Sequence, residues 1–258
     1  MSARIISFGA GVQSSTLLML ALEGRVKADC AVFADTGWEP ESVYRHLEHM
    51  RGIAARAGFP IYVVNRGFSI RNLGRSDSPT SGRPPLYLRG PKGDGMLRRQ
   101  CTQTFKIEPL RKWIRQHLND TGQTHAEQLL GISTDEVQRV RKSDVKYLSN
   151  EYPLIDLGMS RAACINYLAQ AGINAPRSAC IGCPFHSDHE WRRLRDEAPD
   201  EFADAVAWER ELQQHGLNLE ATPYLHRQRV PLDQVDLSTP EDRGQMTFDD
   251  ECAGMCGV

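Results

Sequence analysis

Residues 6–20 read ISFGAGVQSSTLLML. An apolar run carrying Ser7 meets Gly9 and Gly11, then Gln13, Ser14 and Ser15, and continues into an apolar helical stretch. So little side chain where a strand gives way to a helix has two readings. One is a tight turn that needs glycine. The other is a phosphate site, where backbone amides freed by the bend and the positive end of the helix meet an anion. The spacing fits neither the common P-loop, which needs Lys and Ser or Thr after its second glycine, nor the dinucleotide fingerprint. What remains is a Ser-x-Gly-x-Gly-x-x-Ser-Ser loop whose hydroxyls add donors to those of the backbone.

Outward from this bend, short β-branched runs alternate with helical patterns. The strand ARIISF is followed by a helix from Ser14 to about Glu23, then by CAVFA, a helix from about Pro40 to Ala57, and PIYVV. After a long gap a helix over about Lys106 to Leu118 leads to EQLLGI. The alternation predicts an α/β fold: a mostly parallel twisted sheet with helices on both faces, its ligands at the carboxyl ends of the strands. Residues 66–96 interrupt it with six Gly, four Pro and four Ser and no sustained period, which reads as a functional loop, a lid or disorder, expected to be mobile without ligand. Past Thr134 the chain turns helical. Ser160 caps SRAACINYLAQAG and Gly172 ends it, and Ser187 with Glu190 makes a capping-box pattern at SDHEWRRLRDEA. From Pro231 to Val258 the sequence is acidic, rich in turn formers and poor in core residues. The expected organisation is a nucleotide-binding domain over 1–185, with a helical extension and acidic Cys-bearing tail over 186–258 packed on it.

At 258 residues, 40% apolar and 25% charged, the chain has an ordinary globular composition, without the bias of a disordered or fibrous chain. Its longest apolar run, Leu17 to Leu22, is far too short to span a bilayer. With no signal-peptide layout in the first residues, a cytoplasmic location without membrane partners is the expectation. The net charge of −2 hides an asymmetry: residues 89–115 hold eight Lys or Arg against Asp94 and Glu108, and 232–251 hold seven carboxylates against Arg243. Such runs are commonly solvated helix faces, but the basic block also suits a phosphate-rich ligand, nucleotide or nucleic acid. Seven cysteines, an odd number, argue for reduced thiols engaged in metal or redox chemistry. Cys30 and Cys164 lie in strand-like and helical runs and read as small buried hydrophobes.

The next strand ends in FADTGWEP, which sets Asp35 and Thr36 beside the first loop if the two strands are neighbours. SFGAGVQSS followed by FADTG resembles the PP-loop ATP pyrophosphatases (adenine nucleotide alpha hydrolases), and within them the phosphoadenosine phosphosulfate (PAPS) reductase branch. CTQTFKIEPLRKW is similar to that branch's Cys-containing segment before a helix, GISTDEVQR to its Gly-x-x-x-Asp-Glu-x-x-Arg segment, and YPLIDLGMSRAACINYL to its Pro-Leu segment and following helix. The resemblance covers residues 5 to about 185. It implies that Ser7, Gly9, Gly11, Gln13, Ser14 and Ser15 hold phosphates or pyrophosphate, with Mg²⁺. It also implies that Phe33, Asp35 and Thr36 lie near adenosine, and that Lys106, Gly131, Asp135, Glu136 and Arg139 line the pocket, Asp35 and Lys106 serving the chemistry. Where many loops of the family carry Lys-Asp before the Ser, this one carries Val12 and Gln13.

SACIGCPFHSDHEW sets Cys180 and Cys183 two residues apart on a loop that can turn both sulfurs the same way. Cys101, among Arg98, Arg99 and Lys106, offers a third thiolate. These suit a [4Fe–4S] cluster, and the family's cluster-bearing members use comparable positions, although the reductases carry two adjacent Cys where this chain has Cys101 and Thr102. The fourth ligand is then Cys256 or Cys252 from ECAGMCGV, or a sulfide on an iron left open. Structural Zn²⁺ suits the same thiolates, with a tail Cys, His186 or His189 as fourth ligand.

Three functions stay open. The first is ATP-dependent adenylation of a substrate with pyrophosphate release and sulfur transfer, supplied by a donor such as a cysteine desulfurase, with nucleic acid as a candidate acceptor. The second is reduction of adenylyl sulfate or PAPS by a Cys252 or Cys256 thiolate with a thiol carrier. The third is a non-catalytic nucleotide-sensing or nucleic-acid-binding module.

Overall fold

In chain order the elements are β1 (Ala3–Phe8), α1 (Val12–Leu22), β2 (Cys30–Asp35), α2 (Glu41–Arg56), β3 (Ile61–Asn65), β4 (Tyr87–Gly90), β5 (Gly93–Met96), α3 (Glu108–Thr121), β6 (Ala126–Leu130), β7 (Leu148–Glu151), α4 (Pro153–Asp156), α5 (Arg161–Gln170), α6 (Asp188–Glu197), α7 (Pro199–His215) and β8 (Thr222–Tyr224). A π-helical stretch, Thr102–Ile107, leads into α3, and 3-10 turns lie at Ile70–Asn72, Thr134–Arg139 and Leu232–Gln234. The structure is a computed structural model describing residues 2–73, 82–215, 219–238 and 242.

Five strands form one parallel sheet in the order β3-β2-β1-β6-β7. β1 is central, and its alternation shows why ARIISF is apolar at nearly every position. Ala3 and Ile5 pack with α3 on one face; Ile6 and Phe8 pack with α1, α2, α4 and α5 on the other. A strand covered on both sides has no wet face. The mostly parallel sheet with helices on both faces is the class that the sequence pattern predicts, and it agrees with the PP-loop resemblance. Cys30 and Cys164 are buried in these two layers. From β1 the chain winds outward to β3, then returns to lay β6 on the other side of β1, so the winding reverses between β1 and β6. Ser7 pairs with both Val32 and Leu130, so β1 and β6 end within a residue of each other while β2 runs on to Asp35, and the loops after all three leave the same edge of the sheet.

Local signals set the helix ends. Ser160 Oγ accepts from Ala163 N at 3.1 Å at the start of α5, and Gly172, with φ of 70°, lies just past its C-cap. Ser187 Oγ accepts from Glu190 N at 3.2 Å at the start of α6. α1 begins at Val12, two residues before the expected Ser14, because Ser15 N already bonds Gly11 O at 2.9 Å.

Two expectations are revised. The stretch 66–96 carries regular structure: β4 and β5 form a hairpin, and β4 also pairs with β8 in a three-stranded antiparallel sheet. Its strands escape pattern reading because they are short and glycine-bearing; residues 74–81 lie outside the described residues. The segment after Pro231 is not poor in core residues at its start, since Leu232, Val235 and Leu237 are buried. They join Trp38, Phe105, Ile181, Trp191 and Trp208 in a second core beside the parallel sheet. Buried Glu209 secures that segment by accepting from Leu225 N at 2.6 Å and Leu232 N at 2.8 Å. β7 and α7 are left unassigned by the sequence pattern. Among the described residues no helix is long and apolar enough to cross a membrane.

Candidate functional site

The glycine bend lies at the switch point between β1 and β6. Ala10 takes a left-handed φ of 54°, a conformation that costs a non-glycine residue roughly 1–2 kcal/mol. Gly131, directly after β6, lies so close to α1 that a Cβ there would meet Ser14 N at 2.8 Å. Its lack of side chain lets the β6 loop press against the helix start. Ser14 Oγ lies 3.2 Å from each of Gly9 N, Gly11 N and Gly11 O, accepting from the amides and donating to the carbonyl. The hydroxyl thus takes the place among the bend's amides that a phosphate oxygen would take.

Around the bend the GISTDEVQR segment closes a polar network. Gln13 Nε2 donates to Glu136 Oε2 at 3.2 Å, Arg139 donates to Glu136 Oε1 at 2.6 Å, and Arg161 donates to Gln13 Oε1 at 3.1 Å. The amide of Arg161 also donates to Asp135 Oδ2. Glu136 is 2% exposed, and its charge is held in place by Arg139. Gln13, Gly131, Asp135, Glu136 and Arg139, the first more than a hundred positions from the others, therefore meet at one helix start. Arg161 joins them; its sequence signal is weak, a lone Arg after the capping Ser160.

At the end of β2 lies a second polar cluster. Thr36 Oγ1 donates to Glu39 Oε1 at 3.0 Å and lies 3.3 Å from Cys180 Sγ; Cys180 Sγ is 3.6 Å from the same Glu39 oxygen. Lys106 Nζ reaches Glu39 Oε1 at 3.5 Å. Glu39 Oε2 is buried with no hydrogen-bond partner among the described residues. Burial pushes the Cys180 thiol well above its usual value and the Glu39 charge adds to this, while Lys106 and the Thr36 hydrogen bond oppose it; Cys101 is near enough to raise it further. The cysteine loop lies flat on an aromatic floor: a Cβ on Gly182 would fall 2.2 Å from the Trp38 ring, which meets Trp208 edge-on at 4.9 Å, and Ile181 N bonds Trp38 O at 3.0 Å. His186 Nε2 donates to Cys180 O at 3.0 Å, and burial lowers this imidazole to about 4, so the ring is neutral and its proton sits on Nε2.

One segment joins the two clusters. Ser178 Oγ donates to Gly9 O, and its Cβ would lie 3.0 Å from a Cβ on Gly11; two residues later Cys180 reaches Thr36. The glycine bend and the cysteine loop are thus in direct contact through residues 178–180.

Several expected site residues are placed otherwise. Phe33 is 2% exposed in the core against Phe8, with ring centroids 6.5 Å apart, because β2 alternation turns it under α1 and α2. Ser15 is fully buried one residue further round the helix than Ser14, with Oγ 2.8 Å from His46 Nε2. Thr36 and Lys106 stand at the cysteine cluster. Asp35 Oδ1 accepts from Gly37 N at 2.7 Å and Tyr44 OH at 2.8 Å. Ser7 is partly buried at the end of β1. Cys252 and Cys256 lie outside the described residues. Of the basic block, Lys92, Lys106 and Arg111 are paired with Glu220, Glu39 and Asp144. Arg98 and Arg99 line a cleft of about 490 Å³ with Gln100, Thr102 and Gln103, and Arg99 Nε donates to Thr102 Oγ1 at 2.8 Å. Glu39 and Ser178 are polar centres that the motifs do not announce.

The donors fit the groups that the motifs imply. Bend amides, a helix start and Arg161 suit a triphosphate with its magnesium. The thiol chemistry of Cys101, Cys180 and Cys183 suits an iron–sulfur cluster, whose ligands stand further apart than those of one ion; among the described residues no three His, Cys, Asp or Glu side chains are gathered to hold a single metal ion such as zinc.

The fold and crevice define a doubly wound α/β protein with a glycine bend at its switch point and a cysteine loop against it. No protein-family model matches the chain, and no curated protein does. Among solved structures it is similar to the U34-tRNA thiolase NcsA from Methanococcus maripaludis with its [4Fe-4S] cluster, at 11% identity and a TM-score of 0.42, over 83% of this chain and 72% of that one.

Proposed function

We propose that this chain is an ATP-using enzyme that adenylates an oxygen of its substrate, releases pyrophosphate, and lets sulfur replace the activated oxygen. The observation that supports the reading is the contact between the glycine bend and the cysteine loop through Ser178, which sets the bend beside thiols. The amides of Gly9 and Gly11 and the start of α1 bind the phosphates once Ser14 Oγ gives way, with magnesium offsetting the triphosphate charge. Gln13 and Arg161 hold the rim against the Asp135–Arg139 segment, and Asp35 stands at the end of β2. The substrate oxygen attacks the α-phosphorus and pyrophosphate departs. A sulfur nucleophile then displaces AMP, leaving sulfur where the oxygen was. The amides and cations stabilise the charge that develops on the phosphates.

Cys101, Cys180 and Cys183 would hold a [4Fe–4S] cluster, which supplies a site for binding sulfide. Lys106 offsets its negative charge, and the Trp38 floor limits access of water. Arg98 and Arg99 at the neighbouring cleft suit an anionic acceptor such as nucleic acid. The test is product analysis on anaerobically prepared protein. ATP with a sulfide source and nucleic acid as acceptor should yield pyrophosphate and AMP. Sulfite from adenylyl sulfate, without pyrophosphate from ATP, would make it a sulfonucleotide reductase, and neither product would make it a binding module. Cys180→Ala or Cys183→Ala abolishes metal content while Cys30→Ala keeps it; a colourless protein with stoichiometric zinc would overturn the cluster.

A further inference from the structure

We infer that Glu39 is the oxygen ligand of the cysteine centre, completing with Cys101, Cys180 and Cys183 a set of four protein groups around its cluster. The inference rests on the cluster reading above. A carboxylate 3% exposed is costly to keep, and native proteins satisfy nearly all such oxygens. Here Oε1 is served by Thr36 and Lys106, whereas Oε2 has no partner among the described residues. Pairing with Lys106 therefore accounts for one oxygen and leaves the other bare.

The carboxylate is also rigidly placed. It stands four residues past β2, just before α2, with Thr36 fixing one oxygen and the adjacent Trp38 held by Asp204 at 2.6 Å. Both Glu39 Oε1 and Thr36 Oγ1 are within reach of Cys180 Sγ, so the acid and the thiol share one buried space. Cys101 comes from a separate chain segment, at the N-cap of the π-helical stretch whose Lys106 reaches Glu39 Oε1 at 3.5 Å. An oxygen donor is harder than thiolate and holds iron less tightly. Held by Cys101, Cys180, Cys183 and Glu39, a cluster would have one iron bound less tightly than the other three and so open to exchange.

The experiment is anaerobic reconstitution with iron and sulfide of wild type, Glu39→Gln, Glu39→Cys and a Cys252→Ser/Cys256→Ser double variant. Iron is counted and electron paramagnetic resonance recorded after mild oxidation, with circular dichroism checking the fold. Wild type and the tail variant should take up about four irons per chain. Glu39→Gln should fall to about three and give the signal of a three-iron cluster. Glu39→Cys should keep all four and resist oxidative loss. If wild type holds a full cluster and Glu39→Gln matches it in iron and spectrum, Glu39 is only the partner of Lys106 and the inference falls. It falls likewise if the tail variant alone loses iron. If wild type takes up no iron, the cluster reading itself is overturned, an outcome separate from these two.

Discussion

At the scale of single residues, several side chains are explained by what they cannot do elsewhere. Ser14 and Ser15 are adjacent and chemically alike, yet one faces the bend and the other a histidine. The helix turns about 100° between them, so only one can look outward. His46 accordingly has a structural role: it is 6% exposed, and burial lowers it from 6.5 to about 4. Since the folded state holds it neutral and the unfolded chain protonates it near 6.5, its contribution is complete above that pH and declines as pH falls toward 4. Urea unfolding should therefore lose roughly 1–3 kcal/mol over that window, and His46→Gln should flatten the decline; an unchanged slope would reject the assignment. Gly182 is fixed by the Trp38 ring. Gly182→Ala should cost roughly 2–3 kcal/mol by overpacking and lower iron uptake, as read by thermal unfolding and metal analysis. Full stability and metal content in that variant would mean that the loop lies elsewhere.

Elements matter through their ends. β1, β2 and β6 all end at the same edge of the sheet, and the polar groups of the site hang mainly from the loops beyond them: the bend, the DTGWE turn and the GISTDEVQR turn. α5 adds its first residue, Arg161, which ties Gln13 to Asp135. If this tie preorganises the nucleotide rim, Arg161→Ala should weaken ATP binding by roughly tenfold, about 1.4 kcal/mol, with little change in melting temperature. Calorimetric titration distinguishes this from a structural role, in which stability drops and affinity holds. The strands that carry the site are legible in the sequence because burial on both faces leaves a nearly continuous apolar run, and the bend is legible because glycine recurs where a strand ends. Phe33 misleads for a related reason: proximity in sequence to Asp35 says nothing about which face a strand residue takes. β4, β5 and β8 are illegible because short strands such as YLRG and GDGM bury too little to impose a period.

Across the whole molecule, two cores meet along one seam. The parallel sheet supplies the crevice of the glycine bend, the Trp-rich second core supplies a floor for the cysteine loop, and residues 178–180 cross from one to the other. The motifs in the sequence identify both halves, but not that they touch. That contact depends on Ser178 and Glu39, residues whose types are common and whose meaning comes only from tertiary placement. The second core is harder to read because it is assembled from separated pieces, such as Trp38, Phe105, Trp208 and Leu232, rather than from one periodic run. The most direct measurement is a crystal structure of the anaerobically prepared protein soaked with a non-hydrolysable ATP analogue and magnesium. Phosphates should lie on the amides of Gly9 and Gly11, with Ser14 Oγ displaced from them and the nucleotide adjoining the loop of Cys180 and Cys183. A bend still closed by Ser14 and Ser178, with the nucleotide absent or bound elsewhere, would contradict that placement.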